Sequence, residues 1–415
     1  MFKKILIPLV IILLCFSLAV HSKSYISRSG DRSDAWEKDI EYLHKTLPKK
    51  HKDLFFKIDE KEFDNKMENL KASVDKMNDE EIIVEIQKIL ASIGDAHTTI
   101  NISAKKMFPL ELYWFDDGIY VINTSDEYKD IKYSKLKKIN GKDVDSVVKS
   151  IKEVISHENQ GKLKSQVPMY ITLPVVLQGL NIIENDETAL FTFEGLDGKV
   201  QEIKLNTLDG DRVFDDILGK GKVGEEVPLY MKNRDEYYWF EHLEESKIIY
   251  FKYNQCANMK DKPFKEFSKE LIDIINKNDI EKLVIDIRDN GGGSSRILNE
   301  FIDEISKSDI NKKGKIYVVV GRKTFSSAIL NAMSLKEKTE AFFIGEPTGG
   351  KPNHYGEVKS FKLPNSKITV RYSTKYFKHS DEDLKSFIPD KIIEPTVENY
   401  INNIDEVMKY IINFY

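Results

Sequence analysis

The stretch Lys315–Tyr355, KIYVVVGRKTFSSAILNAMSLKEKTEAFFIGEPTGGKPNHY, decides the fold. It opens with a buried-strand pattern, Ile316 to Val320, that stops at Gly321. Two serines, Ser326 and Ser327, precede an apolar helical run through Ile329, Leu330, Met333 and Leu335. A second apolar run, Ala341 to Ile344, feeds a glycine-rich turn from Gly345 to Gly350. Strand, turn, helix, strand, turn is how α/β proteins present a side chain at the carboxyl end of a sheet. A serine at such a junction meets outward-pointing N–H groups that stabilise negative charge. Taken alone, it reads by default as an ordinary helix N-cap.

The flanking sequence repeats the pattern. Upstream, Ile248 to Tyr253 is a strand, and Phe264, Phe267, Leu271 and Ile275 form one apolar helix face. Leu283 to Ile287 is another strand and ends in RDNGGGSS, Arg288 to Ser295. Downstream, Phe361 to Val370 reads as a hairpin, and Ile401, Ile404, Val407, Met408 and Ile411 as the face of a single last helix. The expectation is an α/β core over 225–415, with its site along one sheet edge.

The N-terminal part differs. Lys3 and Lys4 precede an apolar run from Ile5 to Val20, the pattern of an export signal over 1–22, either cleaved or kept as an anchor. Three amphipathic helices follow over 31–93. Ser33 is placed as the first N-cap, Pro48 as the first stop, and Asn78 with Glu81 as a capping box. This bundle reads as scaffold or cap. Next comes SIGDAHTTINI, Ser92 to Ile102, where Gly94 breaks the helix and Thr98 to Ile102 reads as a strand. His97 thus sits in a turn beside Asp95. Of the other histidines, His21 falls in the signal, while His44, His51, His157 and His379 lie in lysine- or glutamate-rich, surface-like sequence. His354 falls in the glycine-rich turn region.

The region 94–208 is expected to be β-rich. Its strand, Asn140-Gly141 turn and helix order resembles part of a PDZ domain, and a helical insertion fits equally well. Phe191 to Leu205 reads as a hairpin turning at Asp197-Gly198. GKGKVG, Gly219 to Gly224, matches a dinucleotide-type glycine pattern but lacks a preceding strand, so it is set aside.

Composition limits function. The net charge of -5 arises from mixed signs with no basic block, so nucleic-acid binding has no electrostatic footprint. Cys15 lies in the signal, which leaves Cys256 without an intrachain disulfide partner after cleavage. A membrane contact is expected only through an uncleaved N-terminal segment, and the oligomeric state stays open.

Three turns remain as chemistry: Gly94–Thr98, Asp286–Ser295 and Thr324–Ala328. Peptide hydrolysis needs a nucleophile, a base and oxyanion donors. Ser326 and His97 supply the first two. One amide of the Gly291–Gly293 run (Gly292 or Gly293) and the N–H of Ser327 would form the oxyanion hole, with Asn290 as a candidate substrate-binding residue. LVIDIRDNGGG, TFSSA, GEPTGGKPNHYGE, GDAHTT, LPNS and Pro389-Asp390 together resemble the C-terminal processing peptidase and tricorn-core family of serine peptidases. The resemblance implies a Clp-protease/crotonase-like core and a secreted or cell-envelope endopeptidase acting on polypeptides with no metal or cofactor. It also implies two rival bases. In Ser–Lys processing members a lysine 25 residues beyond the serine acts, which maps to Lys351. In tricorn-core and nisin-resistance-like members the histidine of the GD.HT motif acts, which maps to His97. A lysine base needs burial to release its proton and Lys351 sits in a turn expected to be solvated, whereas histidine needs no perturbation, so His97 is favoured. Asp95, Glu346 and Glu357 are possible third members. One departure is Ile329, where related members carry glutamate three residues after the serine, which puts any borrowed substrate preference in doubt. The alternatives are a non-catalytic peptide-binding protein on the same fold and a crotonase-like acyl-thioester enzyme.

Overall fold

The computed structural model describes residues 32–218 and 227–414. The export signal and the GKGKVG run lie outside the described residues.

A six-stranded sheet carries the C-terminal half. Its order is Tyr238–Leu243, Ile248–Tyr253, Lys282–Asp286, Ile316–Val320, Phe342–Gly345 and Lys391–Ile392. The first pair is antiparallel and every later pair is parallel. Ile248–Tyr253 and Ile316–Val320 are buried along their whole length, as strands covered on both faces must be. Alternate residues serve the two faces. Ile249, Phe251, Leu283, Ile285 and Val318 pack with Phe264, Phe267, Leu271 and Phe301 on one side. Tyr250, Val284, Tyr317, Val319 and Ile344 meet Val407, Met408 and Ile411 of the last helix on the other.

The expected single last helix is two, Val397–Ile401 and Glu406–Asn413. Asp405 divides them because its carboxylate caps the N–H groups of Val407 and Met408 while pairing with Arg288 at 3.0 Å.

At the N-terminus, helices Arg32–Lys50, Glu60–Ser73 and Asp79–Ser92 form the expected bundle. The Asn78/Glu81 capping box is formed. The first helix runs through Pro48 rather than ending there, and stops two residues later at Lys50, although proline has no N–H to give the carbonyl of His44. The middle region is an antiparallel sheet ordered Leu110–Phe115, Gly118–Thr124, Lys135–Ile139, Thr188–Glu194 and Val200–Asn206. The Asn140-Gly141 turn, with both φ angles positive, leads to the helix Val144–Lys152. Two further helices, Gln160–Ile171 and Pro174–Gly179, are inserted before the next strand.

A three-stranded sheet joins the halves. Thr99–Ile100, shorter than the strand expected there, pairs with Thr369–Phe377, which pairs with His354–Lys362. This pairing carries the His97 turn to the C-terminal half.

Candidate active site

Parallel strands place three loops on one sheet edge: Arg288–Ser295, Gly321–Ser326 and the glycine-rich turn ending at Lys351. Ser326 caps the helix Ser327–Lys338 with φ 55° and ψ −126° and makes no capping hydrogen bond with its side chain. Ala328 N–H donates to Phe325 O at 3.1 Å, which closes a tight turn with Ser326 at its first central position. These angles match a type II′ turn, where glycine is the usual residue. A non-glycine residue held there stores strain, and such strain gathers at functional sites. The turn is braced on both sides. Thr324 Oγ1 donates to Ile287 O at 2.8 Å, and Gly350 N–H donates to Thr324 O at 3.1 Å.

His97 lies beside this turn. Its ring stacks on Phe325, the residue before Ser326, with centroids 4.5 Å apart. His97 is 7% exposed, and neither ring nitrogen has a hydrogen-bond partner among the described residues. Nδ1 lies 3.7 Å from Asp95 Oδ1. Asp95 is fully buried, and burial alone would raise its pKa. Hydrogen bonds from His51 and Ser373, together with the nearby His97 ring, outweigh burial and hold the carboxyl far below its ordinary range.

The oxyanion candidates separate. Gly292 N–H donates to Asn290 Oδ1 at 2.9 Å, so that amide is already engaged. Gly293 bridges Cys256 in parallel through the Gly292 carbonyl and the Ser294 N–H. In such a bridge the central residue's own N–H and C=O face away from the partner. Gly293 O accordingly accepts from Ser327 Oγ at 2.7 Å, toward the Ser326 turn. Gly292, at φ 108°, leaves no room for a side chain, because a Cβ there would sit 2.8 Å from Ser326 Cβ. Asn290 corrects the substrate-contact expectation. It is fully buried and donates to Tyr253 O at 2.9 Å while receiving Gly292, so it braces the glycine loop.

Lys351 is not in a solvated turn. Its side chain is 13% exposed and its Nζ pairs with Asp383 at 2.7 Å. Glu346 pairs with Arg322 and Glu357 is exposed, which leaves Asp95 as the acid beside His97.

Several neighbours were missed by sequence. His51 is buried and bonds Asp95 Oδ2 at 3.0 Å. His354 stacks 5.7 Å from His97, and burial together with His97 pushes its pKa down to about 4. Lys162 Nζ lies 3.7 Å from the Phe325 ring centre. Glu158 Oε2 is sealed from solvent and has no hydrogen-bond partner among the described residues. The lysine-rich surroundings of His51 signalled surface, and only long-range pairing with Asp95 buries it. Beyond Gly291 and Gly292 a cavity of about 370 Å³ opens between the middle sheet and the core, lined in part by Leu110, Tyr113, Met169 and Tyr230.

Glu158 gives a measurable consequence. Burial first, then the Asp95 charge, push it up to about 8 despite Lys351 and Lys162. A raised carboxyl holds its proton in the folded chain after the unfolded chain has lost it. Its contribution to stability is therefore present below pH 4.5 and is lost as pH rises towards 8. Glu158→Gln cannot ionise. Urea unfolding should show the variant gaining on the wild type by a few kcal/mol in all between pH 5 and 8, a shift of this size being worth at most ~5 kcal/mol. A constant difference across that range would show that Glu158 is ionised throughout.

Fold and site together define a mixed α/β protein with a strained serine at the carboxyl edge of its sheet. No protein-family model matches the chain. Carboxyl-terminal-processing peptidase 2, chloroplastic, of Arabidopsis thaliana is 29% identical over 149 residues, covering 29% of this chain and 28% of that protein. The match thus spans less than a third of that relative's length. Among solved structures, mature CPAF aligns with a TM-score of 0.63 at 13% identity, over 92% of this chain and 98% of that one. Mature CPAF complexed with lactacystin gives 0.64 at 13%, over 92% and 99%. The chain therefore has the fold of mature CPAF.

Proposed function

We propose that the protein is a serine endopeptidase of the C-terminal processing and tricorn-core type, using Ser326 as nucleophile and His97 as general base. The observation that carries this reading is the strained Ser326 turn, φ 55° and ψ −126°, with the buried His97 ring stacked on its neighbour Phe325. Ser326 Oγ attacks the scissile carbonyl and gives its proton to His97 Nε2. Asp95, on the Nδ1 side, stabilises the imidazolium that results. The tetrahedral oxyanion is held by the N–H groups of Gly293 and Ser327, the latter at a helix N-terminus. His97 then passes the proton to the leaving amine, and water repeats the cycle on the acyl-enzyme. The short match to a carboxyl-terminal-processing peptidase supports peptide-bond chemistry. The engagement of Lys351 with Asp383 favours the histidine-dependent, nisin-resistance-like branch over a Ser–Lys dyad. The basic and apolar start of the chain supports action outside the cytoplasm, in the cell envelope or secreted.

A fluorophosphonate probe tests the reading directly. It should label the purified protein with one equivalent at Ser326, read by peptide mass mapping. Binding of extended peptides with no labelling would favour the non-catalytic alternative.

A further inference from the structure

We infer that His51, at the foot of the N-terminal bundle, is a positioning residue for the His97 base and acts through Asp95. The inference rests on the Ser326–His97 reading and extends the active site into a bundle that sequence marks as scaffold.

The hydrogen bonds fix the state of His51 without reference to its titration. Asp53 N–H donates to His51 Nδ1 at 3.1 Å, so Nδ1 is an acceptor. The ring proton is therefore on Nε2, which donates to Asp95 Oδ2 at 3.0 Å. The same oxygen receives Thr98 Oγ1 at 2.6 Å and Ser373 Oγ at 2.7 Å. Three donors saturate Oδ2 and set the rotation of the carboxylate. Oδ1 is thereby turned to the His97 turn, where it accepts the His97 backbone N–H at 2.9 Å and faces Nδ1 at 3.7 Å.

Consecutive residues of the bundle's end are tied to the catalytic side. Lys52 N–H donates to Ser373 O at 2.9 Å, and Tyr355 Oη donates to Asp53 Oδ2 at 3.0 Å. Tyr355 also packs on the His51 ring, with centroids 5.6 Å apart. Ser373 thus meets this segment through its carbonyl and Asp95 through its hydroxyl. Thr98 and Ser373 can hold Asp95 in place, but each hydroxyl can rotate to another acceptor. The imidazole of His51, fixed at both nitrogens and packed by the Tyr355 ring, supplies a rigid donor to Oδ2.

The test compares His51→Leu, His51→Gln and His51→Asn with His97→Ala in the full chain, on a fluorescently labelled unfolded protein substrate. The amide nitrogen of glutamine reaches the Nε2 position, while that of asparagine falls short of it. His51→Leu should lower kcat by ~10- to 100-fold with KM held within about twofold, a share of the effect of losing a general base. His51→Gln should restore most of that loss and His51→Asn should not. Circular dichroism confirms that each variant is folded. Should the leucine variant fail to fold, the glutamine–asparagine pair decides: a kcat gap supports positioning, and equal values overturn it. Wild-type kcat in all three His51 variants, with His97→Ala inactive, would leave His51 a packing residue only. An active His97→Ala variant would remove the base itself, and the positioning role with it.

Discussion

Ser326→Ala should abolish peptide cleavage, lowering kcat by at least ~10⁴-fold, as expected when the nucleophile of a cooperating catalytic set is removed. Peptide binding should survive, because the glycine loop and the adjoining cavity do not depend on the hydroxyl. A second variant separates chemistry from backbone strain. Ser326 holds φ 55° and ψ −126°, which glycine adopts freely and alanine does not. Ser326→Gly should be as inactive as Ser326→Ala yet more stable than the wild type by ~1–3 kcal/mol, the usual cost of such a conformation. Chemical denaturation reads the stability and single-turnover cleavage reads the activity. Wild-type turnover in either variant ends the nucleophile assignment. Equal stability of the glycine and alanine variants would show that the turn is not strained in solution.

The parts of the site that lie in glycine-punctuated turns at strand ends were legible in the sequence, because there the local chain chemistry and the function coincide. Ser326, His97 and the Gly291–Gly293 run were picked out in this way, and the fold brings their turns together. What sequence could not divide was labour within a turn. Gly292 and Gly293 look alike in a row, yet one amide is spent on Asn290 and only the other faces the Ser327 side. Asn290 read as a substrate contact because it is polar and central, but a loop bent this sharply needs an internal brace, and Asn290 is it. His51 escaped notice for another reason. Its local sequence, KKHKDLFFK, has the charge of an exposed segment, while its partner Asp95 lies 44 residues on. Burial of Lys351 was likewise invisible, since Asp383 reaches it from a loop beyond the Thr369–Phe377 strand. Sheet strands were read with little error because their apolar runs are buried on both faces, whereas Pro48 and Asp405 mark positions where one residue's backbone chemistry shifted a helix boundary.

The contest between His97 and Lys351 carries the second large effect. A general base must present a lone pair within reach of the serine hydroxyl. The His97 ring lies flat against Phe325, its nitrogens have no hydrogen-bond partner among the described residues, and a strongly ionised carboxylate stands behind Nδ1. Lys351 offers the opposite picture. Its Nζ is held on Asp383 at 2.7 Å, and that contact keeps the aspartate below the usual carboxylate range. Drawing the amine toward Ser326 would break the pair and leave Asp383 without its partner. His97→Ala should therefore cost ~10³- to 10⁴-fold in kcat/KM, whereas Lys351→Met should cost less than ~10-fold and act mainly through stability. Phosphonate labelling of Ser326 should follow the same order, since it needs the base but no leaving-group protonation. The reverse ranking, with Lys351→Met inactive and His97→Ala near wild type, would transfer the role of base to the lysine. It would also require the Lys351–Asp383 pair to open before each turnover, which an Asp383→Asn variant would expose as a gain in rate.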